Sequence, residues 1–211
     1  VRIIPVESFG HPPLDEATAP ADPMLLFTGW LDDVIAAALP EPTAMVLATA
    51  SASGSPRART VLLKEHSPAG FVFYTNRTSI KGQHLAARPQ ACLLFPWYPI
   101  QRQVIVQGSV TALSVSESEP YFHSRAHGSQ LGAWASRQSS VLSARAELDD
   151  RYRELEQRWP EDTDVPMPDF WGGYRVRPDS LEFWQGRANR MHDRLRYRRD
   201  GAHWVLERLA P

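Results

Sequence analysis

Between Ala44 and Leu113 apolar and polar residues alternate in short runs, and each run predicts a strand. The runs are Ala44 to Ala50, Arg59 to Lys64, Gly70 to Thr75, Ala91 to Tyr98 and Gln103 to Leu113, rich in β-branched and aromatic side chains. Ser-Gly-Ser-Pro at 53–56 and Ser-Pro-Ala-Gly at 67–70 mark the turns between the first three. Upstream, Asp22-Pro23 supplies an N-cap and a favourable first helical residue, and Phe27, Trp30, Leu31 and Val34 recur at helical spacing until Pro40. A short helix is expected around Lys81 to Ala87. From about 117 to 159 the pattern is helical, with Leu148, Tyr152, Leu155 and Trp159 on one stripe and Pro160 as the stop. A proline-rich loop then leads to Trp171-Gly172-Gly173 and further strands. Asp200-Gly201 signals a hairpin between 194–199 and 203–209. The expected class is mainly β (α+β), a small antiparallel barrel with flanking helices. One domain spans 22–211, preceded by a proline- and alanine-rich arm, 1–21, that lacks periodicity and reads as flexible or draped.

Composition narrows the function classes. The 211 residues are 43% hydrophobic and 22% charged, enough for one substantial core. A formal net charge of −1 gives no bulk attraction for nucleic acid or an anionic membrane, so arginines must act locally. The single cysteine, Cys92, lies in an apolar run and reads as a small buried hydrophobe. No run reaches the length of a membrane span, and a cytoplasmic protein is expected.

Candidate chemistry is carried by polar residues placed within these elements. Alternation along Arg59-Thr60-Val61-Leu62-Leu63-Lys64 sets Arg59, Val61 and Leu63 on one face and Thr60, Leu62 and Lys64 on the other. Cations at both ends suit either phosphate recognition or snorkelling from a half-buried strand. Tyr121, Arg125 and Ser129 are four apart, so one helix face would gather them around a phosphate. His123 and His127 share that spacing, but no third ligand accompanies them and no metal site is expected. No nucleophile elbow surrounds Ser129 or Ser139. The glycines at 51–55 fit neither a P-loop nor a dinucleotide fingerprint.

The string Glu182-Phe-Trp-Gln-Gly-x-x-x-Arg190-Met-His-Asp-Arg194 resembles the signature of the pyridoxine/pyridoxamine 5'-phosphate oxidases, FMN enzymes that make pyridoxal 5'-phosphate. The stretches 59–64, Tyr74-Thr75-Asn76, Ser79-Ile80-Lys81 and 121–139 extend the resemblance in family order over about residues 22–211. It implies an antiparallel split barrel of Greek-key type and a homodimer with two FMN sites at its interface. It also implies oxidation of a phosphorylated B6 vitamer, with O2 as acceptor and H2O2 as product. The implied FMN contacts are Arg59, Thr60, Val61, Leu62, Lys64, Tyr74, Thr75, Lys81, Gln103, Gln138, Ser139, Trp184 and Arg194, with Gln138 and Ser139 donated by the second subunit. The implied substrate contacts are Lys64, Tyr121, Arg125, Ser129, Arg190, Met191 and His192, of which Arg190 and His192 are catalytic and reach over the flavin face.

The chain departs from the family pattern in three places. No tyrosine precedes Tyr74, so the lid over the substrate differs; Ile80 stands where many members have an arginine; Ala126-His127 replaces a common Pro-Arg pair. Two other readings follow: a related FMN oxidase of secondary metabolism acting on phenazine precursors, and a flavin- or pyridoxal-phosphate-binding protein without turnover.

Overall fold

A computed structural model describes residues 10–211. Nine strands form one curled, wholly antiparallel sheet: β1 (Ala44–Ala50), β2 (Pro56–Leu62), β3 (Glu65–Ser67), β4 (Gly70–Asn76), β5 (Gln90–Trp97), β6 (Arg102–Ala112), β7 (Trp171–Gln185), β8 (Asp193–Asp200) and β9 (His203–Arg208). The hydrogen-bonded order is β2-β1-β5-β6-β7-β4-β3, with β8 on β7 and β9 on β8. Strand β7 organises the sheet. Its first half lies between β4 and β6 and its second half between β6 and β8, so the sheet divides along one strand. Where β6 bulges at Gln107/Gly108, a Cβ on Gly108 would stand 1.9 Å from the Arg177 carbonyl oxygen, so only glycine fits the bulge.

Helix α1 (Pro23–Ala36) starts as its sequence predicts, Asp22 accepting from the Met24 N–H and Pro23 occupying the first turn. Its apolar stripe of Phe27, Trp30, Leu31 and Val34 is buried against Met45, Leu47, Phe71, Phe73, Phe95 and Phe183. Phe27 contacts His66, Phe71 and Phe95 edge-on with centroids 4.8–5.2 Å apart. Helices α2 (Ile80–Ala87), α3 (Val115–Ser124), α4 (His127–Ala135) and α5 (Arg145–Arg158) flank the sheet. A second cluster, Phe122, Leu131, Val165 and Trp171, packs α3 and α4 against the start of β7, and Tyr152, Leu155 and Trp159 of the predicted stripe cover it.

Two expectations are corrected. The helical run through 121–129 breaks at Arg125 and Ala126, whose backbones are extended, so Tyr121, Arg125 and Ser129 do not share one helix face, and His123 and His127 lie on different helices. The flexible arm is also revised. Residues 11–20 are tied down by Arg187 to the His11 carbonyl, Gln185 to the Pro12 carbonyl, Arg208 to the Leu14 carbonyl and Glu16, and Tyr197 to the Pro20 carbonyl, at 2.6–2.8 Å. The part of that expectation covering 1–9 lies outside the described residues. Cys92 is half buried, and burial pushes its thiol up.

Because Phe27 is wholly enclosed, Phe27→Ala is expected to destabilise the ligand-free protein by about 3–5 kcal/mol, read as a lowered midpoint in chemical denaturation.

Candidate active site

A cleft of about 500 Å³ opens between β2, β4, α2 and the α3–α4 break. Arg59, Thr60, Val61, Leu62 and Lys64 line one wall, Tyr74, Thr75 and Lys81 the floor, and Tyr121, Arg125, Ser129 and Gln138 the other side. Thus twelve expected residues converge although the helix meant to carry three of them is broken. Strand β2 bonds only to β1, and this edge position leaves residues from both faces of the strand on the cleft wall.

Among the described residues, four cations, Arg59, Lys64, Lys81 and Arg125, line the cleft and no carboxylate does. Arg59 is anchored through Nη1 to the Leu47 carbonyl at 3.0 Å and Thr49 Oγ1 at 2.7 Å. Ser79 caps α2, and a Cβ on Gly82 would lie 2.0 Å from the Arg77 carbonyl oxygen, so glycine lets the helix sit tightly on the preceding turn. That packing places Lys81, only 8% exposed, with Nζ 2.7 Å from Gln138 Oε1. Thr75 Oγ1 donates to the same oxygen at 3.0 Å. Burial, reinforced by the Arg59 charge, brings Lys81 down from its ordinary 10.5 to about 8. Ser139, with φ of 75°, sits beside the cleft and its Oγ accepts from the Ile80 N–H at 3.4 Å. Gln138 and Ser139 therefore stand beside α2 of their own chain, which corrects their expected origin in a second subunit.

The other end of the cleft is aromatic. Tyr74 stacks on Tyr121 at 4.1 Å and on Trp171 at 5.4 Å, and burial pushes the Tyr74 hydroxyl up. Lys64 Nζ stands 5.8 Å from the Tyr121 ring centre. Arg125 lies over Trp171 at 5.0 Å and donates through Nη2 to the Ser129 carbonyl at 2.6 Å, while its Nη1 is buried without a partner. A buried guanidinium donor left unpaired in a carboxylate-free cleft suits an anionic ligand. Phosphoryl groups at both ends of the cleft fit this donor set.

The remaining expected residues form a second group at the far end of β7. Gln103 pairs with Trp184, and Trp184 with Arg194, across three neighbouring strands. The His192 ring contacts Trp184 at 4.7 Å, and Arg194 is paired with Glu182 at 2.7 Å. Asn189 and Arg190 hold left-handed φ values of 58° and 61°, and Met191 is 68% exposed. Trp171 and Trp184 stand thirteen positions apart along β7, roughly 40 Å of path at about 3.3 Å per step. Arg190 and His192 are accordingly not among the residues that line the first cleft within one chain.

Sequence reasoning missed Trp171 as the platform under Arg125, although Trp-Gly-Gly was visible as a strand start. It also missed Asn76 and Ser136 in the lining and the left-handed pair in the 186–192 loop. A buried Asn beside a predicted cofactor run was the available signal for Asn76; nothing local marks Ser136. Among the described residues no group of three His, Cys, Asp or Glu could hold a metal ion, and no helix is long and apolar enough to cross a membrane.

Comparison with known proteins matches this geometry. The family model described as pyridoxamine 5'-phosphate oxidase matches residues 31–159, and that of the pyridoxine 5'-phosphate oxidase C-terminal dimerisation region matches 171–211. A pyridoxine/pyridoxamine 5'-phosphate oxidase of Salinispora arenicola is 55% identical over 199 residues, covering 94% of this chain and 90% of that protein. One of Streptomyces avermitilis is 52% identical over 204 residues, covering 94% and 91%. The crystal structure of PhzG from Burkholderia lata 383, in complex with tetrahydrophenazine-1-carboxylic acid, superposes with a TM-score of 0.87 at 32% identity, covering 92% of this chain and 95% of that one. From α1 to the end of the chain, the cation-lined split barrel belongs to the pyridoxine/pyridoxamine 5'-phosphate oxidase family.

Proposed function

We propose that this chain is an FMN-dependent oxidase that converts pyridoxine and pyridoxamine 5'-phosphates to pyridoxal 5'-phosphate in the cytoplasm, using O2 and acting as a homodimer. The observation that carries the reading is the cleft itself, with four cations, no carboxylate and an unpaired buried Arg125 donor. FMN supplies the hydride acceptor and the reaction with oxygen, which no side chain provides.

The protein's part is grip and orientation. Arg59 and Lys81, with Thr75, Gln138 and Ser139, hold the cofactor's phosphate end, while Thr60, Val61, Leu62 and Tyr74 line its path. Lys64, Tyr121, Arg125 and Ser129 hold the substrate phosphate, the fork of Arg125 matching its oxygens and Lys64 adding a compact charge. Gln103, Trp184 and Arg194 of one copy meet the flavin bound to the other, and Arg190, Met191 and His192 of that same copy cover the substrate. This arrangement accounts for two half-sites at opposite ends of β7 and agrees with the matched dimerisation region. The likeness to PhzG favours a second reading, oxidation of a reduced aromatic without phosphate, for which Lys64 and Arg125 would serve no purpose.

Anaerobic mixing with pyridoxamine 5'-phosphate is expected to bleach bound FMN. Arg125→Ala should raise the half-saturating concentration about 10- to 100-fold, the loss of a charge-assisted hydrogen bond worth ~1.5–3 kcal/mol. Bleaching only by a reduced aromatic, indifferent to that substitution, would establish the second reading. Absence of bleaching by any donor would leave a binding protein. Separate replacement of Arg190 and His192 should slow single-turnover flavin reduction; unchanged rates would remove their catalytic role.

A pH dependence follows from Lys81. Its value of about 8 in the folded chain lies below the ordinary 10.5, so between these limits the unfolded chain binds more protons and ligand-free stability rises with pH. Phosphate favours the charged amine, so FMN affinity should fall above about pH 8. Thermal melts of ligand-free wild type and Lys81→Met between pH 7.5 and 10, with FMN titrations beside them, check both signs.

A further inference from the structure

We infer that Arg187 is a positioning residue that fixes His192 as a hydrogen-bond donor through Nε2. The naming of the ligand rests on the oxidase reading above; the geometry does not. The Arg187 backbone N–H donates to His192 Nδ1 at 3.1 Å. With Nδ1 accepting, the neutral imidazole carries its proton on Nε2, which turns that nitrogen into a donor for a ligand oxygen. The Trp184 indole, 4.7 Å away and tilted by 47°, restricts ring rotation on one side.

The side chain of Arg187 holds this arrangement at its neck. Its Nε pairs with Asp193 Oδ2 at 2.7 Å, and its Nη1 donates to the His11 carbonyl at 2.6 Å. Both partners of the ion pair are mostly sheltered, at 20% and 16% side-chain exposure, so solvent screens it less than a surface pair. Asp193 also accepts from the Leu14 N–H at 3.2 Å and from Arg208 at 3.1 Å. Burial works against its ionisation, but these donors, Arg187 foremost, outweigh it and hold the carboxyl below its ordinary range. Residues 187 and 193 thus clasp a loop whose middle, Asn189 and Arg190, is held left-handed. Release of the clasp frees the backbone that presents the N–H to His192.

The test combines imidazole ¹⁵N spectra with kinetics. In the FMN-free protein the His192 signal, assigned by its loss in His192→Gln, should show the Nε2–H tautomer. Arg187→Ala should convert it to a mixture and, with FMN bound, slow flavin reduction about 10- to 100-fold while KM stays within about twofold. Arg187→Lys, which keeps a cation for Asp193, should restore the tautomer and most of the rate. An unchanged tautomer and rate in Arg187→Ala, or no rescue by lysine, overturns the inference. Should the spectra change as expected while wild type fails to reduce its flavin with pyridoxamine 5'-phosphate, the oxidase reading fails and the clasp stands.

Discussion

Strand β7 is the constraint on which the rest of the molecule depends. Its fifteen residues hydrogen-bond to three other strands, and its two ends carry different groups of polar side chains. A strand cannot fold back to join its own ends without breaking the ladder that holds the sheet together, because each interior amide already has a partner. Within one copy the polar groups at the two ends therefore stay apart.

The first cleft stores electrostatic tension. Burial penalises the charge of both Lys81 and Arg59, and a neighbouring guanidinium adds to the penalty on each, Arg59 acting on Lys81 and Arg57 on Arg59. Hydrogen bonds to Gln138 and Thr49 offset only part of it, since a neutral acceptor does not cancel a charge. The ligand-free protein gives up stability here. The aromatic stack of Tyr74, Tyr121 and Trp171 provides the stiff backing, limiting how far the cations can relax into solvent.

Much of this was legible in the chain. The five early strands, the hairpin at Asp200-Gly201 and α1 all appear close to where alternation, turn residues and the Asp-Pro cap put them, because each is specified by residues near in sequence. The cleft-lining residues were legible through family resemblance, not through periodicity. Two things were hidden for physical reasons. The break at Arg125–Ala126 interrupts residues that all tolerate helix, so a local reading continues it; the tertiary contacts of Arg125 with Trp171 and Ser129 accompany a different backbone. The docking of 11–20 depends on Arg187, Asp193, Tyr197 and Arg208, more than 170 positions away, which no local pattern reveals.

Those docking contacts also govern when the fold can be finished. The Glu16–Arg208 pair joins positions 192 apart, and α1 is buried among strands contributed by β4 through β8. On a ribosome, the plug helix emerges long before the strands that enclose it, and Phe27 and Trp30 wait exposed until β7 and β8 follow. Closing such long loops is slow, and uncovered aromatics are a hazard during the delay. The early Pro23 start and the Asp22 cap let the plug assume its helical shape ahead of its enclosure, so that late synthesis needs only to wrap a preformed spindle.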